Sequence, residues 1–342
     1  MLVFPWTQAP FLGAFVDNTM QITDDGLFNQ DLPPGLQAGD QLVEVAGQPV
    51  RASAELKSAL GEFSVGDTIQ VSVQRGGELV SVDVQLTRFQ DAGRLIYYYG
   101  LYLVGLVYLG VGILMFAARR DDQAVRAFAI FSASAAIVFA GLFEIHTTQY
   151  MTLVWTAALA IGGSALLHMA LSYPREIGIM TRVPFLRFVV YAPALLLTVF
   201  TWPRIFNLNN PGGYLLAQRL EYVFFGIGLV FFAAGTVYRR YTSPSPIERE
   251  QTRVIHWSLI VAFLPVLVWL IANAAGWAFT DLVALLLILP LIAFPLGVAY
   301  TILRHRTAKP YDSGRSYPGR YLFRRQNIAH IFGPFLVEHI VP

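Results

Sequence analysis

The chain has 342 residues, of which 55% are apolar and only 13% charged, with a mean hydropathy of +0.53. Soluble globular chains carry about 25% charged residues, so most of this chain is expected to sit in lipid. The absence of Cys excludes disulfides, thiol nucleophiles and Cys-ligated zinc or iron–sulfur sites. The net charge of +2 conceals an asymmetry: segment 1–95 holds 5 basic and 12 acidic side chains, and segment 304–342 holds 7 and 2.

The first of these segments reads as a small β-rich domain. QLVEVA (41–46) is a short apolar strand and Gly47-Gln48-Pro49 a turn. SAELKSALG (53–61) reads as one short helix, with Ser53 as its N-cap and Gly61 as its C-terminal stop. Ile69, Val71 and Val73 alternate with polar neighbours, as do Val80, Val82, Val84 and Leu86, with Gly76-Gly77 between them. That pattern predicts a hairpin, because tight hairpin turns need positive φ.

Seven stretches then reach the roughly 20 apolar residues that a spanning helix needs: 96–117, 127–145, 152–173, 184–202, 220–238, 254–276 and 281–303. Pro193, Pro265, Pro290 and Pro295 fall inside them; membrane helices tolerate such prolines where neighbours re-satisfy the freed carbonyls. Alternate loops hold 17 Lys and Arg against only Arg204 and Arg219 in the others. The positive-inside rule then puts residues 1–95 outside and the C-terminus in the cytoplasm. Tyr97 to Tyr99, Tyr150, Trp155, Trp202 and Trp277 are expected to form an outer aromatic belt. Glu144, His146, Arg204, Arg219, Glu221 and Asp281 fall at the outer helix ends, as solvated interfacial charges or the walls of a ligand vestibule.

The run PGLQAGD (34–40), then LVEVAGQPV, then SAELKSALGEFSVGDTIQVSVQRGGELVSVDVQL, resembles the PDZ domains of bacterial periplasmic serine proteases over about residues 34–87. The resemblance implies a groove between one strand and the helix, where an extended peptide adds to the strand edge. On this sequence the strand is Leu12, Gly13, Ala14, Phe15 and Val16, and the facing helix presents Leu56 and Leu60. The alternative is a PDZ-like fold that binds no peptide and acts as a spacer or dimer contact. FAARRDDQAVRAFAIFSAS, ALLHMALSYPRE and FPLGVAYTILRHR extend the likeness. Over residues 5–306 the chain is similar to the N-terminal sensor half of bacterial multi-pass sensor histidine kinases. In those relatives a helix precedes the PDZ-like domain and an output region follows the last helix. A true start upstream is therefore expected, and the 304–342 tail reads as a disordered basic cytoplasmic segment or as a frameshifted or truncated end.

No HExxH, Walker A, Rossmann or kinase nucleotide motif occurs. Gly162-Gly163-Ser164 with His168 could suggest an intramembrane serine protease, but small residues in membrane helices usually serve close packing. The expectation is thus an α+β membrane protein in a bacterial inner membrane. It comprises an extracytoplasmic PDZ-like domain (1–92), a seven-helix transmembrane bundle (96–303) and the tail. It senses a signal and is not an enzyme, with no cofactor, no metal and no nucleic acid. Its partners are the lipid bilayer, an extended peptide and a second copy as homodimer. The alternative function is a PDZ adaptor that recruits exported peptides or proteins.

Overall fold

The computed structural model describes residues 9–23, 32–88, 92–274, 277 and 281–304. The expectations for the tail after Arg304 lie outside the described residues.

The N-terminal domain contains strands β1 (Pro10–Phe11), β2 (Gln41–Val45), β3 (Gln48–Pro49), β4 (Thr68–Arg75), β5 (Glu78–Gln85) and β6 (Thr87–Arg88), with helix α1 (Ser53–Leu60) between β3 and β4. The four-stranded sheet runs β3-β2-β4-β5, and β1 pairs with β6 separately. The hairpin forms in the predicted register: Ile69 faces Val84, Val71 faces Val82 and Val73 faces Val80. Gly76 and Gly77 turn at φ of 60° and 95°, the left-handed pair that a two-residue hairpin loop requires. Val71 and Val73 are fully buried, each contributing on the order of 1.5–3 kcal/mol. The turn expected at 47–49 is tighter than the sequence suggests: Gln48 and Pro49 already lie in the return strand against Val45 and Glu44.

Arg75 clamps this domain. Its Nε and Nη2 donate to the two oxygens of buried Asp40 at 2.7 and 2.6 Å, and Nη2 also donates to the Gly35 carbonyl. Burial pushes the Asp40 carboxyl up, but the Arg75 hydrogen bonds, the Gln37 N–H and the guanidinium charge outweigh it. The net is a carboxyl held below its usual range.

The helical block consists of α2 (Ala92–Arg119), α3 (Gln123–Thr147), α4 (Thr152–Ser172), α5 (Gly178–Arg182), α6 (Leu186–Val189), α7 (Ala192–Thr201), α8 (Pro211–Thr242), α9 (Pro246–Ala274), α10 (Asp281–Ile288) and α11 (Ala293–Arg304). Among the described residues seven helical spans are long and apolar enough to cross a membrane; the fourth is Leu186–Arg204 and the seventh Leu282–Arg304. This is a multi-pass membrane protein by length and composition of its helices. Six spans close a ring in the order α2, α3, α4, α8, α9 and α10–α11, while α7 leans on α4 and α8 from outside. Leu195, Leu196 and Val199 of α7 are accordingly exposed, as a lipid-facing span requires.

The prolines mark the breaks. Pro193 sits in the first turn of α7 and Pro290 in a 3₁₀ turn, Leu289–Ile292, while Pro265 lies inside a long helix. Proline at 295 cannot donate to the carbonyl of Leu291 four residues earlier. The buried Tyr108 hydroxyl of α2 donates to that carbonyl instead, at 3.0 Å. Tyr108 also stands edge-on to Phe131, which faces Phe294 in turn, so the break is held by the neighbouring α2 and by α3.

Small residues set the closest approaches. A Cβ on Gly228 would stand 2.5 Å from the Gly163 carbonyl oxygen, and one on Gly112 would stand 2.6 Å from the Ser132 side chain. Trp155 departs from the expected outer belt. It is buried, its indole donates to the Val138 carbonyl, and Gly141 makes room for its ring. Tyr99, Tyr150, Trp202 and Trp277 are exposed, as a belt would be; the side chains of Tyr97 and Tyr98 lie outside the described residues.

Candidate functional site

The seam between the N-terminal domain and the helical block concentrates buried polar contacts. Residues 11–16 run through it with alternating allegiance. Leu12, Ala14 and Val16 point into the core of the small domain, whereas Phe11 and Phe15 belong to the core of the helices. The Phe11 and Phe15 rings lie 5.3 Å apart, and Phe15 stands edge-on to His146 at the end of α3. One short segment therefore serves two cores.

The sequence places an edge strand over 12–16. In the structure the named strand β1 ends at Phe11, and Val16 forms a bridge with Ile22. Gly13 breaks the run: its φ is +82°, and a Cβ there would meet Pro33 at 2.8 Å. No other residue type fits both conditions easily. Around the bridge the inward-facing groups are Phe15 and Asp17: the Asp17 N–H donates to the Gln21 carbonyl, and the Phe15 carbonyl accepts from the Thr23 N–H. The main-chain groups of Val16 therefore face the opposite edge.

The sequence has helix α1 presenting Leu56 and Leu60 to the groove. Leu56 is half-buried and packs on the domain core from its flank, whereas Leu60 is buried inside that core. Ser53 is not the N-cap. That position is Ala52, and the Ser53 hydroxyl donates instead to the Thr147 carbonyl at the end of α3, 3.0 Å away. Gly61 does end the helix, in a right-handed conformation.

The partners across the seam come from two turns of the helical block. In the α3–α4 turn, Gln149 Nε2 donates to the Val16 carbonyl at 2.8 Å, and the Thr152 hydroxyl donates to Asn18 Oδ1 at 2.9 Å. From the first turn of α8 the Tyr214 hydroxyl accepts from Asn18 Nδ2, and from the segment leading into α8 the Leu208 carbonyl accepts from Gln41 Nε2. Gln149, Thr152, Asn18, Ser53 and Thr147 are all at least nine-tenths buried. Each buried bond exchanges for water on opening, so each contributes only about 0.5–1.5 kcal/mol; it is their number, beside Phe11 and Phe15, that fixes the seam. A cavity of about 280 Å³ lies alongside, lined by Asp17, Asn18, Gln21, His146, Tyr214 and Gln218 among others. A shallower crevice of about 430 Å³ between α9 and α11 is lined mainly by apolar atoms of Trp257, Val261 and neighbours.

Two expected surface charges turn out to be buried. Glu144 Oε1 accepts from the Thr148 hydroxyl and the Met151 N–H, which shapes the α3–α4 turn. Glu221 is fully buried on α8 and accepts from the Thr201 hydroxyl of α7 at 2.7 Å. Sequence reasoning places both at helix ends but has no signal for the neighbouring helices that cover them. Arg219 is exposed, Arg204 folds back over the Phe200 ring, and the Asp281 side chain lies outside the described residues. The Gly162-Gly163-Ser164 motif packs its glycines against Phe225 and Phe224 of α8, and His168 Nδ1 meets the Tyr191 hydroxyl at 3.2 Å.

With this geometry established, comparison with known proteins gives one match. Residues 21–86 match the PDZ domain family. The match begins ahead of the motif run that starts at Pro34, and so takes in Gln21 and Ile22, which pair with residues 15–17. No curated protein and no solved structure matches the chain.

Proposed function

We propose that this protein is a membrane-embedded signal-sensing module whose PDZ-like domain, outside the cytoplasm, takes an extended peptide along residues 12–16 and Leu56 and passes the event to the helices. The observation that carries this reading is the divided allegiance of residues 11–16. A ligand that shifts this segment perturbs Phe15 beside His146 at the end of α3 and, through the adjoining Asn18, Tyr214 at the start of α8. In this reading the chain is not itself an enzyme. It works as the sensor half of a system like the multi-pass histidine kinases it resembles, in a bacterial inner membrane, with residues 1–92, 96–303 and 304–342 as its three parts and a homodimer as its working state. The arginine-rich turns, at the ends of α2, α4 and α8 remote from the PDZ-like domain, support a cytoplasmic placement of those ends.

The test is hydrogen exchange on the full chain in nanodiscs, with and without a synthetic peptide selected on it from a random phage-displayed library. Altered exchange at 141–152 and 208–218, together with 9–23, is the expected result. A change confined to residues 9–88 contradicts transmission and favours an adaptor that only recruits its peptide. Failure to select any peptide contradicts the peptide reading.

A further inference from the structure

The edge that would receive a peptide already has an occupant within the chain. Phe15 and Asp17 direct main-chain groups to the Gln21–Thr23 side, so the Val16 carbonyl faces the opposite edge, where an added strand would donate to it. That carbonyl accepts instead from Gln149 Nε2 at 2.8 Å. Close by in the same turn, the Thr147 carbonyl accepts from the Ser53 hydroxyl at the start of α1. The α3–α4 turn therefore reaches both sides of the groove, the strand edge through Gln149 and the helix through Thr147.

Gln149 holds this place in a costly conformation. Its φ is +60° and it is only 4% exposed. A non-glycine residue takes up left-handed backbone where the surrounding contacts over-determine it. Here the surroundings include the Gln149 N–H donating to the Glu144 carbonyl and the Glu144 carboxylate gripping Thr148 and Met151.

We infer that the α3–α4 turn occupies the peptide edge of the PDZ-like domain in cis, and that an extended peptide binds by replacing Gln149 at the Val16 carbonyl with one of its own main-chain N–H groups. This rests on the peptide reading above and adds its regulation. The resting protein is self-bound, and the ligand's entry is the same event as release of the turn that joins α3 to α4. The ligand needs a free main-chain N–H at that register, so a peptide N-methylated there is excluded whatever its side chains.

The experiment measures the affinity of the selected synthetic peptide for the full chain in nanodiscs, as wild type, Gln149→Gly and Gln149→Asn. Glycine takes this left-handed backbone without strain, and asparagine tolerates it while its amide is one methylene shorter, so both variants keep the turn and lose the reach to Val16. Removing an internal competitor worth one neutral hydrogen bond should tighten peptide binding roughly twofold to tenfold in both. Unchanged or weaker binding in both variants, with wild-type binding intact, overturns the cis occupancy and leaves the peptide reading standing. Absence of peptide binding to all three forms overturns the peptide reading itself, and this inference with it.

Discussion

Replacing Phe15 by Ala separates docking from folding. The ring is 4% exposed and sits in the helical core beside Phe11 and His146, while Leu12, Ala14 and Val16 hold the other face of the segment in the PDZ core. Truncating a buried Phe costs about 3–5 kcal/mol. Phe15 is buried by the seam, so nearly all of that cost falls on the docked state and little on the small domain. Taking about 3 kcal/mol, the undocked population rises roughly a hundredfold. Hydrogen exchange of the full chain in nanodiscs should then accelerate by about that factor in 9–23 and 145–152, while β4 and β5 keep their protection. Equal acceleration in β4 and β5 would place Phe15 in the folding core of the small domain, and no acceleration anywhere would show that the seam contributes nothing. Either result refutes the division of residues 11–16 between two cores.

Other consequences follow from the same geometry. Gly228→Ala forces a Cβ to within 2.5 Å of the Gly163 carbonyl oxygen, so α4 and α8 must part, at a cost of about 1–3 kcal/mol; a lowered thermal midpoint in detergent checks this, and an unchanged one contradicts it. The Asp40 carboxyl is held below its ordinary range when folded, so its contribution to stability is complete above the unfolded value of about 4 and is lost as pH falls through the lower, folded one. Asp40→Asn should flatten the acid limb of the PDZ domain's unfolding curve, and an acid limb identical to wild type would show that Asp40 does not set it. A reporter active only in the cytoplasm should be active when fused after Arg304 and silent at Gly213; the reverse pattern overturns the proposed orientation.

The parts of the fold legible in the sequence are those governed by local period and turn chemistry. Alternating valines around Gly76-Gly77 encode the hairpin and its register, and uniform apolar runs encode seven spans. What escapes are properties set by partners far along the chain. Ser53 looks like an N-cap because its type and position suit one, yet its hydroxyl is drawn to Thr147, 94 residues away. Glu144 and Glu221 look solvated because helix ends usually are; only the neighbouring turn and α7 reveal why they are not. Trp155 looks like a belt residue, and a glycine on the preceding helix decides otherwise. Residues 12–16 are where the resemblance to PDZ domains places the proposed ligand edge. That the opposite face of the same segment enters the helical core depends on Phe11 and Phe15 meeting helices that begin only at Ala92 and beyond, which no local pattern encodes.

The claim on which the account turns is that the PDZ-like domain sits on the α3–α4 turn through residues 11–18. The chain has no native Cys, so Asn18→Cys with Thr152→Cys can be made without background. The native side chains at these positions are 2.9 Å apart at their bonded oxygens. In native membranes a short bifunctional thiol reagent should link the pair within one chain and nearly to completion, while Asn18→Cys paired with exposed Tyr150→Cys links poorly. Absence of the Asn18–Thr152 link, or equal linking of both pairs, would contradict the docked seam and every functional statement built on it.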